Sequence, residues 1–183
     1  LVRLFTLDGI LEKAAIFDIN KLYWMNGQYL SQTAAGELYD LVAPELHKLG
    51  VDGSREAVLR AIAAVKTRSR TTLDVARQVA VRLDGKYVTL DEKAQREIAR
   101  DPTGYQAALA ASVVALKNAE WTPQSLEAVL RNLAEQRSVA AGKIFQPIRI
   151  ALTGGTVSEP VNELLAVVGK DAALRRLEAA ALS

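Results

Sequence analysis

Helix-start signals recur along this chain at the head of almost every apolar-periodic run, with no train of alternating strand residues between them. A short polar side chain ahead of such a run accepts a hydrogen bond from a first-turn amide that the helix leaves unpaired. Asp18 stands before Ile19, Leu22, Tyr23 and Leu30, which share one helical face, as in an ordinary packed helix. Thr33 is expected to cap a helix through Val42, with Pro44 resetting the chain and Gly50 stopping the next turn. Ser54 heads Val58, Leu59, Ile62 and Val65, and Thr72 heads Leu73, Ala76, Val79, Ala80 and Leu83. Asp84-Gly85-Lys86 reads as a turn, Asp91 as the start of a polar helix to Arg100, and Asp101-Pro102 as its end. An alanine-rich buried helix over 103–117 follows, then a restart at Thr122-Pro123. Further helices are expected over 123–139, 143–153, 160–168 and 171–182. The expected fold is all-α, with two packed helical subdomains over 18–118 and 119–183 and a short irregular connector piece over 1–17.

Composition narrows the function classes. Half of the 183 residues are hydrophobic, enough for a sizeable core, which argues against disorder. No cysteine is present and His47 is the single histidine, so disulfide frameworks and thiolate or imidazole zinc clusters are excluded. No apolar stretch approaches the roughly 20 residues of a membrane helix. Residues 1–5 lack a signal-peptide core and an initiator methionine, so the expectation is a cytoplasmic, monomeric fragment. Net charge is only +2, yet Arg55, Arg60, Lys66, Arg68, Arg70, Arg77 and Arg82 face only Glu56 and Asp74 in their stretch. Such a local excess can make a phosphate-facing surface.

The helix over 143–153 offers the most specific arrangement. Phe145, Ile148 and Leu152 are spaced to face a core, while Gln146, Arg149 and Thr153 share the opposite face. An amide, a guanidinium and a hydroxyl on one stripe suit the hydrogen-bonding edges of splayed single-stranded bases. A surface helix whose Arg149 pairs with a carboxylate would show the same spacing. Gly154-Gly155 breaks the helix and lets backbone approach a ligand. Trp24 and Trp121 are expected to serve packing, with Lys21 beside the first. No phosphate-cradling glycine loop follows a strand, and no catalytic constellation is evident.

Two motifs carry a family resemblance. Phe17, Asp18, Lys21, Leu22, Trp24, Asn26 and Tyr29 make the pattern Phe-Asp-x-x-Lys-Leu-x-Trp-x-Asn-x-x-Tyr. Gln146, Pro147, Arg149, Ala151, Leu152, Thr153 and Gly154 make Gln-Pro-x-Arg-x-Ala-Leu-Thr-Gly. In this order and at this distance they resemble the anticodon-binding half of bacterial glutamyl-tRNA synthetases, over essentially the whole chain. The resemblance implies helical bundles where related enzymes carry β-barrels.

It further implies a role in binding tRNA(Glu), with tRNA(Gln) an open alternative, alongside a catalytic N-terminal half of the same polypeptide. ATP and magnesium would serve that other half, whose His-x-Gly-His and Lys-Met-Ser-Lys-Ser elements do not occur here. Arg149 matches an arginine implicated in anticodon contact, with Gln146 and Thr153 on its stripe. Ser158, Pro160 and Val161 match a base-contacting loop, although Glu159 stands where many relatives have proline. Arg68 or Arg70 fits an arginine that reads the third anticodon base and helps exclude glutamine tRNA. Lys66, Arg77 and Lys21 are candidates for tRNA backbone contact. The rivals are the helical anticodon domain of a class I lysyl-tRNA synthetase and a helical protein-interaction module, which would show an exposed apolar groove.

Overall fold

In a computed structural model, residues 18–182 are described, and the connector expected over 1–17 lies outside them. Ten α-helices and two short 3₁₀ turns account for the regular structure of the described residues, which contain no strand. The all-helical expectation therefore holds.

The first helix, α1 (Ile19–Gln32), starts as its sequence dictates: Asp18 accepts from the Asn20 and Lys21 amides. Its packing does not follow expectation. Only Leu30 is buried, while Ile19, Leu22, Tyr23, Met25 and Tyr29 are exposed and Trp24 is 63 % exposed. Helical spacing gives the apolar face but not a partner for it. α1 instead touches the turn at Lys66–Arg68.

Thr33 is not the cap of the next helix. It ends α1, its hydroxyl donating to the Tyr29 carbonyl, a bond threonine can make to the residue four back. Helix α2 (Ala35–Lys48) then runs straight through Pro44, which was expected to interrupt it. A proline inside a helix costs about 3 kcal/mol or more. Burying Leu38, Val42 and Leu46 along one stripe contributes about 1.5–3 kcal/mol each and outweighs it. Gly50, at φ +68°, ends the helix with the Val51 amide bonded to Leu46 O and its own to His47 O.

Ser54 caps α3 (Arg55–Val65) as expected. In α4 (Thr72–Leu83) the cap is Thr71 instead of Thr72: its hydroxyl and the Asp74 carboxylate bond each other's backbone amides. The later helices are α5 (Glu92–Arg100), α6 (Pro102–Lys117), α7 (Pro123–Gln136), α8 (Gly142–Thr153), α9 (Val161–Val168) and α10 (Lys170–Ala181). Asp91, Asp101 and Thr122 cap α5, α6 and α7.

Buried apolar side chains form two clusters. One joins Leu30 with α2, α3 and α4; the other joins α6 through α10. They divide upstream of α6, so the Thr122-Pro123 restart is a bend within the second cluster. Trp121 serves packing as expected, its indole N–H donating 3.1 Å to Leu165 O.

Contacts of α3 with α9 and of α4 with α8 and α9 join the clusters. From α10, Arg176 donates to the Val81 and Arg82 carbonyls at 2.8 and 3.0 Å, satisfying the free end of α4.

Candidate nucleic-acid interface

Helix α8 divides its faces as its spacing requires. Ile148 and Leu152 are fully buried and Phe145 packs against the same cluster. On the other face Arg149 Nη1 donates 2.6 Å to Gln146 Oε1, and Thr153 Oγ1 donates 2.8 Å to Arg149 O. The following loop folds back onto this stripe. Gln146 Nε2 donates 3.1 Å to Thr156 O, and Arg149 Nε donates 3.0 Å to Ser158 Oγ.

Gly154 makes that return possible. It ends α8 at φ +76°, and its carbonyl accepts from the Asp91 amide at 2.9 Å. A Cβ there would lie 2.1 Å from Thr89 O, so only glycine permits the approach.

The Arg149 guanidinium is half-buried, and burial pushes its pKa below the ordinary arginine value. The Glu159 carboxylate opposes this shift and the Arg68 charge adds to it. Arg68 and Arg149, 81 positions apart by numbering, therefore share one electrostatic neighbourhood.

Arg68 is exposed and donates 3.1 Å to Ala64 O. Arg70 is exposed, and its carbonyl is held by the Asn26 side chain of α1. Gly27 lies against the Ser69 carbonyl, 3.4 Å from where a Cβ would stand. Asn26 of the early motif and the Gly27 that follows it thus seat the arginine turn.

The remaining candidates are more scattered. Lys66 is engaged within the fold, its ammonium donating to Ser31 O at 3.0 Å and Thr33 O at 2.6 Å at the end of α1. Arg77 and Lys21 are exposed. Pro160 is exposed beside Ser158, whereas Val161 is 1 % exposed and faces the second cluster. The basic run does not form one surface. Arg55 stacks 4.3 Å from the Tyr39 ring, Arg60 pairs with Glu56, and Arg82 is buried.

The buried pairing of Arg82 with Glu159 was not foreseen from the sequence. Arg82 falls on the Val75–Val79 stripe of α4, a charge on a core face, and that was the readable signal. Beside Gln146 a cleft of about 280 Å³ opens between α6 and α8, with Tyr105, Arg137, Lys143 and Pro147 on its walls. Gln146 lines it and Arg149 does not, so the cleft meets the guanidinium stripe at one residue only.

A helical scaffold presenting a guanidinium–amide–hydroxyl stripe beside an arginine turn suits the hydrogen-bonding edges of single-stranded bases. The chain belongs to the anticodon binding domain family, whose profile matches residues 37–181. It is 34 % identical over 183 residues to glutamate--tRNA ligase 1 of Sphingopyxis alaskensis, covering 98 % of this chain and 37 % of that one. It is 38 % identical over 181 residues to glutamate--tRNA ligase 2 of Rhodospirillum rubrum, covering 96 % and 38 %. The chain thus spans well under half the length of these relatives. A glutamate tRNA ligase structure from Elizabethkingia meningosepticum superimposes with a TM-score of 0.82 at 22 % identity, over 98 % of this chain and 35 % of that one, and establishes the fold.

Proposed function

We propose that this chain reads the anticodon of tRNA(Glu) as part of a glutamate--tRNA ligase, the rest of the polypeptide joining glutamate to tRNA. The observation that carries this reading is the Gln146–Arg149–Ser158 network, with Arg68 near enough to be felt by Arg149. Single-stranded bases are read on their Watson–Crick edges by such planar donors and acceptors. Thr153, Gly154-Gly155 and Pro160 shape the wall beside them, and Val161 supports the loop from within. Arg68, whose charge acts on Arg149, and Arg70, on the turn held by Asn26, are the two candidates for reading the third anticodon base. Arg77 and Lys21, both exposed, serve the phosphates.

Fluorescence anisotropy with anticodon stem-loops of glutamate, glutamine and lysine tRNA, at two salt concentrations, tests the proposal. Salt-sensitive binding that prefers the glutamate loop supports it. Equal binding to all three reduces the site to a phosphate clamp, and preference for the lysine loop transfers it to the lysyl type.

One observation favours a second, compatible role for α1. Its exposed Ile19, Leu22, Tyr23 and Tyr29 share an apolar face that suits protein contact, with Trp24 exposed to one side of it. Binding there would be insensitive to salt, which separates it from phosphate contact.

A further inference from the structure

The loop between α8 and α9 carries a carboxylate where an RNA-reading surface would repel one. Glu159 does not face outward. It is 1 % exposed, and both of its oxygens are taken by Arg82 of α4, with Nε at 3.1 Å and Nη2 at 2.6 Å. Arg82, 2 % exposed, is held on its remaining edge by Gln78, whose side-chain and backbone oxygens accept from Nη1 at 2.6 and 3.2 Å. Among the described residues no buried side-chain nitrogen or oxygen lacks a partner, so the network is complete.

A buried ion pair contributes little net stability, because desolvation of both charges offsets their attraction. What two-point pairing does supply is orientation. Glu159 passes that orientation outward: its carbonyl accepts from Ser158 Oγ at 2.7 Å, and that hydroxyl oxygen in turn accepts from Arg149 Nε at 3.0 Å. A continuous line of hydrogen bonds therefore runs from α4 through Glu159 and Ser158 to Arg149 and Gln146.

We propose that Arg82 and Glu159 are positioning residues for base discrimination, setting the Arg149 guanidinium from the opposite apolar cluster through the Ser158 hydroxyl. The inference rests on the anticodon-reading role of the α8 stripe. Neither residue touches RNA. The pair aligns the donor that does, so its loss loosens the choice between bases while leaving the attraction for phosphates in place.

Four variants of the 183-residue chain test this: Glu159→Gln, the apolar pair Arg82→Met with Glu159→Leu, Arg149→Ala, and Glu159→Gln combined with Arg149→Ala. Each is compared with the wild type on a glutamate stem-loop and on one with a single changed anticodon base, at two salt concentrations. Thermal melting and circular dichroism run alongside. The pair variant fills the space without buried charge, so it keeps the experiment decisive where Glu159→Gln melts early.

The expected result is a fall of roughly tenfold in the affinity ratio between the two loops, with the salt slope unchanged. Adding Arg149→Ala to Glu159→Gln should cost little further discrimination, since residues acting through one contact are not additive. Folded variants that keep the full ratio would overturn the inference and leave the pair a structural contact only. Additive losses would overturn the route through Arg149. A wild type that does not distinguish the loops would remove the anticodon reading itself, and the inference with it.

Discussion

Arg149 Nε donates 3.0 Å to Ser158 Oγ while Nη1 of the same guanidinium donates 2.6 Å to Gln146 Oε1. Two of its edges are thus fixed by the protein, and the group is half-buried. A fork held in this way loses little freedom when a base arrives. Arg149→Ala is expected to weaken binding of the glutamate stem-loop by about 1–3 kcal/mol. Arg149→Lys should recover charge without the fork, restoring nonspecific affinity but not base preference, as parallel anisotropy titrations would reveal.

Asn26 and Arg70 make the corresponding link at the other arginine site, where the amide of α1 holds the Arg70 carbonyl. Asn26→Ala is expected to destabilise the chain by about 0.5–1.5 kcal/mol, the ordinary worth of one such bond. Urea unfolding measures that loss. The same variant should show weaker stem-loop binding, because the Arg68–Arg70 turn loses its seat on α1.

Gly154 admits no side chain: its φ is +76° and a Cβ would sit 2.1 Å from Thr89 O. Gly154→Ala is expected to cost at least about 2 kcal/mol through left-handed backbone strain and the backbone collision together. A matching drop in the urea midpoint, with no drop at Gly142→Ala in open space, is the expected pattern.

Much of this was legible in the chain, and the failures share a cause. Caps at Asp18, Ser54, Asp91 and Thr122 act within three residues, so the sequence contains both partners of each bond. The stripe of Gln146, Arg149 and Thr153 was legible for the same reason. Thr33 was misplaced because a threonine hydroxyl can close one helix as readily as open another. Pro44 was read as a break because its local cost is visible while the buried stripe that outweighs it is tertiary. The exposure of Trp24 and the burial of Arg82 against Glu159, 77 positions away, depend on which elements meet, and spacing is silent on that.

Tyr105, on the wall of the cleft beside α8, has its phenol pKa pushed up to about 12 by burial. The folded state therefore favours the neutral phenol. Its contribution is fully present below the unfolded value near 10 and is lost as pH rises through about 12. Unfolding titrations between these limits should show a decline that Tyr105→Phe reduces.

Arg77 is exposed on α4 and has no hydrogen-bond or ion-pair partner among the described residues. As a phosphate contact it adds affinity without base preference. Arg77→Gln should weaken all stem-loops equally and flatten the slope of log K against log salt by about 0.7.

The central claim is that RNA bases meet the α8 stripe, and amide and arginine Nε–H resonances of the labelled chain report this most directly. On titration with the glutamate anticodon stem-loop, the account predicts shifts concentrated at Arg149 Nε–H, Ser158, Gly154, Gly155 and Arg68. Shifts confined to the Trp24 indole and its neighbours on α1, with the Arg149 resonance unmoved, would contradict it.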